Sequence, residues 1–163
     1  MTNLNVLILA EILKSEIDNI KKLQGAKLSY AIIKNIDIIN NHVNTIKSLI
    51  ETSEEYINYE KDRNDLCIKY CKKNNLNELI TITKEDGSQE YDIDINNDNW
   101  INEMNALKNK YEKCIQDRNI QIEKYNYFLN QNAEIELYKF PLEDVPDNVN
   151  VEMMDIIKNF IIE

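Results

Sequence analysis

Apolar residues recur along this chain with two periods, three-to-four and two, and the switches between them mark out the elements. Val6, Leu9, Leu13, Ile17, Ile20 and Leu23 step by three and four and stop at Gly25. That spacing predicts an amphipathic helix over 1–24 with a glycine just past its C-terminus. From Ile32 through Ile36, Ile39, Val43, Ile46, Ile50, Ser53 and Ile57 the intervals alternate four and three, a heptad seam. The seam drifts onto Tyr59, Arg63, Leu66 and Tyr70, which implies a stutter or a change of packing partner near 57–60 inside one helix over 29–74. At ~1.5 Å per residue, about 45 residues make a rod of about 68 Å.

Over 79–95 the period becomes two. Ile80 and Ile82, then Tyr91, Ile93 and Ile95, alternate with polar residues on either side of Glu85-Asp86-Gly87-Ser88, the signature of a β-hairpin. Asn96, Asn97, Asp98 and Asn99 offer N-caps for a helix over 98–131, whose stripe runs Met104, Leu107, Tyr111, Cys114, Arg118, Ile122, Tyr125 and Leu129. Alternation returns over 134–140, with Ile135, Leu137 and Lys139 against Glu136, Tyr138 and Phe140. Asn150 then caps a last helix carrying Val151, Met154, Ile157 and Ile161. Because the second helix outruns the third, the strand over 134–140 has to carry the chain back, and residues 25–30 are its expected pairing partner. The expectation is a mainly α fold. It is a long, coiled-coil-like antiparallel helical hairpin with a β-hairpin at its tip and, at the other end, a short β pairing with the C-terminal helix (134–163). All of it falls in a single elongated domain, 1–163.

Composition agrees with long helices: glycine occurs only at 25 and 87 and proline only at 141 and 146. With 43% hydrophobic and 29% charged residues the chain belongs to neither the disordered nor the membrane class. No apolar run approaches the roughly 20 residues of a membrane span. The first apolar run has five residues and no basic region before it, which argues against a signal peptide. Three cysteines, an odd number, point to reduced thiols and a cytoplasmic location, in a host cell. The net charge of −10 is unevenly spread: residues 1–50 carry four acidic and six basic side chains, 78–103 eight and one. Such a surface repels phosphate backbones, so nucleic acid is not an expected partner, nor is a membrane.

Candidate chemistry is sparse. Around His42 the local sequence identifies no Ser, Cys or carboxylate constellation of a catalytic kind. Cys67 and Cys71 lie one helical turn apart and Cys114 lies on the next helix, but a tetrahedral metal lacks its fourth ligand and packing accounts for all three. Asp92, Asp94, Asn96, Asp98 and Glu103 match a calcium-loop template, weakly. Asn97 stands at the position of its glycine and Asn99 at that of its aliphatic residue, so a solvated acidic tip is favoured and no cofactor is expected. Six tyrosines on the long helices, Tyr56, Tyr59, Tyr70, Tyr111, Tyr125 and Tyr127, suit a partner surface or the filling of a wide hairpin. Lys21, Lys22, Lys27, Tyr30 and Lys34 form the candidate ligand or partner surface, where a small nucleotide fits only if the lysines gather in one pocket.

Two segments carry a family likeness: Lys27-Leu-Ser-Tyr-Ala-Ile-Ile-Lys-Asn-Ile, and Ala133-Glu-Ile-Glu-Leu-Tyr-Lys-Phe-Pro-Leu-Glu-Asp-Val-Pro. Through them the chain resembles a family of small uncharacterised phage and prophage proteins of Firmicutes. The bias toward Asn and Ile, almost a third of all residues, suits an AT-rich source. The resemblance implies a phage origin and brings no catalytic residues. The expected function is a non-enzymatic, homo-oligomeric interaction protein acting by binding or sequestration, for instance counter-defence against a host immune protein or a nucleotide signal. The alternative is a virion or tail-assembly accessory or scaffold protein.

Overall fold

The structure is a computed structural model that describes residues 1–22, 25–147 and 149–162. It is mainly helical, with seven α-helices and two small sheets among the described residues. None of these helices is long and apolar enough to cross a membrane. Contacts divide the chain into a terminal unit, Met1–Glu51 with Glu123–Glu163, and a central unit, Thr52–Ile122.

In the terminal unit, Thr2 accepts the Asn5 N–H and starts α1 (Asn3–Ser15). The predicted first helix is interrupted at Glu16, after which α2 (Ile17–Ile20) adds a single turn. Its expected last position, Leu23, lies outside the described residues, as does Gln24. Gly25, at φ 119°, opens α3 (Ala26–Ser48) instead of simply closing a helix. The predicted seam is real within α3. Ile32, Ile39 and Val43 are buried with Ile36 half-buried beside them, and they face α1 and the C-terminal segment, not a coiled-coil partner. Phe140, Ile157 and Phe160 complete that core.

The single helix expected over 29–74 breaks at 49–53. Leu49 closes α3, and Ser53, in extended conformation, accepts the Tyr56 N–H at 3.2 Å to start α4 (Glu54–Tyr70). Glu54 and Glu55 in the first turn suit the positive end of the helix dipole. A new cap therefore overrides the heptad count at this point, ahead of the expected stutter, and Ile57 is exposed.

In the central unit, β1 (Thr81–Thr83) and β2 (Gln89–Tyr91) form the expected antiparallel hairpin, with Ile82 opposite Glu90. Gly87 takes φ 83°, and Asp86 Oδ1 accepts the Ser88 N–H and hydroxyl. Two backbone hydrogen bonds tie the hairpin to the chain just past α4, Lys72 N–H to Asp92 and Ile80 N–H to Lys72, and a third, Asp92 N–H to Ile80, closes the hairpin itself. Asn97 caps α5 (Asp98–Lys110), which runs antiparallel to α4, as the pairs Lys69–Glu103 and Asp62–Lys110 require. The helix expected over 98–131 is interrupted at Tyr111, whose φ of −110° and ψ of 16° separate α5 from α6 (Glu112–Leu129).

The strand expected over 134–140 is mostly extended chain without a ladder. Ala133, Ile135 and Leu137 lean on the core while Glu134 and Glu136 face solvent, so the alternation holds over 133–137, but it fails at its end, where Lys139 is exposed and Phe140 is buried. Its pairing with 25–30 does not form, because 26–30 is already the first turn of α3. The fully buried Asn35 takes that role: its Nδ2 donates to the Tyr138 carbonyl at 2.9 Å and its Oδ1 accepts the Tyr138 N–H at 2.6 Å, as a neighbouring strand would. A ladder appears only at β3 (Phe140–Pro141), parallel to β4 (Ile161–Ile162). Between them Asn150 caps α7 (Val151–Ile157) as predicted, but the buried positions are Met153, Ile157 and Phe160, with Val151 almost fully exposed.

Candidate functional site

Lys27, Tyr30 and Lys34 occupy the first turns of α3 at intervals of three and four, and the extended chain brings Tyr138 and Asp144 to them. Lys27 Nζ lies 2.8 Å from Asp144 Oδ1, and that hydrogen bond and charge raise the lysine pKa. Tyr30 and Tyr138 meet edge to face at 5.7 Å, and Lys34 Nζ sits 4.5 Å from the Tyr138 ring centre. Lys21 and Lys22 take partners in their own helical turn, Asp18 at 3.6 Å and Asn19 at 3.3 Å. Three of the five residues chosen from sequence therefore form one cluster in which Lys27 is neutralised and Lys34 is held over aromatic faces. This is a tyrosine–lysine surface and not a phosphate pocket.

The calcium-loop residues have separate commitments. Asp92 binds Lys72 at 2.8 Å, Asp94 accepts the Asn96 N–H and Asp98 lies in the first turn of α5. Glu103 accepts from Lys69 at 2.6 Å and from the Tyr70 hydroxyl at 2.8 Å, which hold its carboxyl below the usual range. Among the described residues no three His, Cys, Asp or Glu side chains converge on a cation position. Burial pushes the Cys67 and Cys114 thiols up in pKa, and Cys71 Sγ donates to the Ile80 carbonyl at 3.1 Å.

His42 is part of a clasp. Asn3, almost fully buried, donates from Nδ2 to the Phe128 carbonyl at 2.8 Å, which turns its Oδ1 toward His42 Nε2 at 2.6 Å. The ring nitrogen is then the donor. Sequence reading passed over Asn3 and Asn35, although a polar residue on an apolar helical stripe, as Asn35 is beside Ile32 and Ile39, carries that signal.

The site that sequence reading missed is a cleft of about 670 Å³ in the central unit, between the β-hairpin and the α4–α5 pair. Tyr59, Trp100 and Met104 line it from the helices, and Ile82, Tyr91 and Ile95 from the hairpin. Trp100 is steadied edge to face by Tyr70 at 5.7 Å, and Tyr59 by Tyr56 and Tyr111 at 5.5 and 5.6 Å. The tyrosine excess was the legible part of this site. Its other wall is the hairpin, which no helical periodicity reports.

Comparison with protein-family models, with curated proteins and with solved structures finds no match to this chain.

Proposed function

We propose that the chain is a non-enzymatic phage interaction protein that works by binding or sequestration and does so as a homo-oligomer. The observation that carries this reading is α1. Its inner stripe, Val6, Leu9 and Leu13, is buried in the terminal unit. Its outer stripe, Leu4, Ile8 and Ile12, stays 42, 50 and 39% exposed, and Met1, just ahead of the helix, 43%. A helix that is apolar on two sides belongs in an interior, and a contiguous exposed apolar patch marks an interaction surface. A second copy offers the same stripe at the same spacing, so a two-fold contact sets apolar against apolar. Glu11 and Lys14 are the only charged residues of α1, one of each sign, so little repulsion opposes the pairing. The α3 seam offers no such surface, because Ile32, Ile39 and Val43 are already buried inside the chain.

Light scattering over a range of concentrations tests the reading. The native chain should give a multiple of 19.3 kDa, and Ile8→Glu with Ile12→Glu should return it to 19.3 kDa with its circular dichroism unchanged. A native mass of 19.3 kDa at every concentration would reject it.

A further inference from the structure

We infer that the central cleft is a binding site for a small planar apolar molecule carrying a negative charge, such as an aromatic carboxylate, sulfonate or phosphate. This extends the binding reading from self-association to a ligand and does not require that α1 pair with itself. At about 670 Å³ the cleft falls within the 300–1,000 Å³ typical of small-molecule sites. Its lining is unusual for this chain, combining the rings of Tyr59, Tyr91 and Trp100 with the Met104 thioether, surfaces that take flat ligands by stacking and by soft dispersion contact. Ile82 and Ile95, at the hairpin side, are 56 and 72% exposed. Hairpin apolar groups left that open are surface a ligand can cover.

The charge argument chooses the anion. Three charged residues line the cleft: Arg63, Glu90 and Lys108. Arg63 is neutralised by Glu60 at 2.7 Å and Glu90 by Lys84 at 2.5 Å, both from outside the lining. The Lys108 side chain, exposed on α5, has no ion pair or hydrogen bond to another described residue. In a chain of net charge −10, this cleft has a cation as its one uncompensated charge. An anionic group at Lys108, with the flat body between the rings and the isoleucines, satisfies both halves of the lining.

The test uses two dyes: anilinonaphthalene sulfonate, which is planar and anionic, and N-phenyl-1-naphthylamine, its neutral counterpart. Trp100 is the chain's only tryptophan, so its quenching reports occupancy of this cleft directly. We expect saturable binding of the sulfonate at one site per chain. Lys108→Glu should weaken it by about tenfold, the size of one charge-assisted contact, while leaving the neutral dye nearly unchanged. Lys108→Arg should restore sulfonate binding, and Ile95→Glu should weaken both dyes. Lys108 and Ile95 are exposed, and circular dichroism checks that their variants remain folded. The Ile8→Glu, Ile12→Glu double variant should bind the sulfonate as the native chain does, which separates this site from the α1 surface. Sulfonate binding that does not saturate, or that is indifferent to Lys108→Glu and Ile95→Glu, would overturn the assignment.

Discussion

The two units of this protein are held together by different means. In the terminal unit Val6, Leu28, Ile32, Ile39, Ile157 and Phe160 are almost wholly removed from water, and the buried polar side chains, Asn3 and Asn35, each have a hydrogen-bond partner at both the amide nitrogen and the amide oxygen. In the central unit α5 buries no residue at all, α4 buries only Tyr59 and α6 only Cys114. What substitutes there is a set of tyrosine contacts, Tyr56–Tyr59–Tyr111 and Tyr70–Trp100, bordered by ion pairs to Lys69 and Lys110. Dispersion and hydrophobic burial scale with apolar area removed from water, whereas exposed ion pairs contribute little. The terminal unit is thus the stable body, and the central unit is the one whose apolar and aromatic groups remain available to a ligand.

The largest expected effect breaks the terminal core. Phe160→Ala should cost about 3–5 kcal/mol in urea unfolding, because a fully buried ring is replaced by a cavity. In the central unit Leu107→Ala, at a half-buried position, should cost only about 1 kcal/mol. Equal costs would erase the distinction between the units. Next in size is Asn35→Leu, which keeps the volume but strands the Tyr138 N–H and carbonyl. A loss of about 1–3 kcal/mol per buried polar group is expected, together with protease cleavage within 134–147. An unchanged digestion pattern would show that the extended segment does not depend on that amide.

The smallest effect concerns acid. Hydrogen bonds from Lys110 and Tyr111 hold the Asp62 carboxyl below its usual range, and Lys69 and Tyr70 do the same for Glu103. Lowered carboxyl values mean that these groups stabilise the folded state above the ordinary carboxylate pKa and lose that contribution as pH falls through the lowered values. Below about pH 4, Trp100 emission should shift before any loss of overall helix, and high salt at neutral pH should produce part of the same shift. Trp100 emission that changes only together with the helical signal would contradict this.

Much of the fold was legible because it follows local rules. The Asp86-Gly87 turn, the Asn97 and Asn150 caps and the apolar stripes of α1 and α3 need only neighbouring residues. The break at 49–53 was hidden because the four-and-three spacing continues in phase across it, and the visible signal, Ser53 before Glu54 and Glu55, was outweighed by the seam. The pairing of 134–140 was misplaced for a different reason. Sequence suggests strand partners for strands, whereas the backbone of Tyr138 is satisfied by one side chain from the middle of a helix. Of the candidate surface, Lys27, Tyr30 and Lys34 were found together, while Tyr138 and Asp144 join them only through the tertiary fold. The cleft depends on the hairpin folding beside α4 and α5, a juxtaposition that no local pattern encodes.

Hydrogen exchange resolved along the chain tests the contrast between the units most directly, because protection follows local burial and cooperative packing. The account predicts the slowest amides in α1 and α3, around Leu9 and Ile39, and amides in α5 and the β-hairpin that exchange at least tenfold faster, a difference of about 1.4 kcal/mol in opening free energy. Uniform protection across both units, or protection greatest in α5, would contradict it.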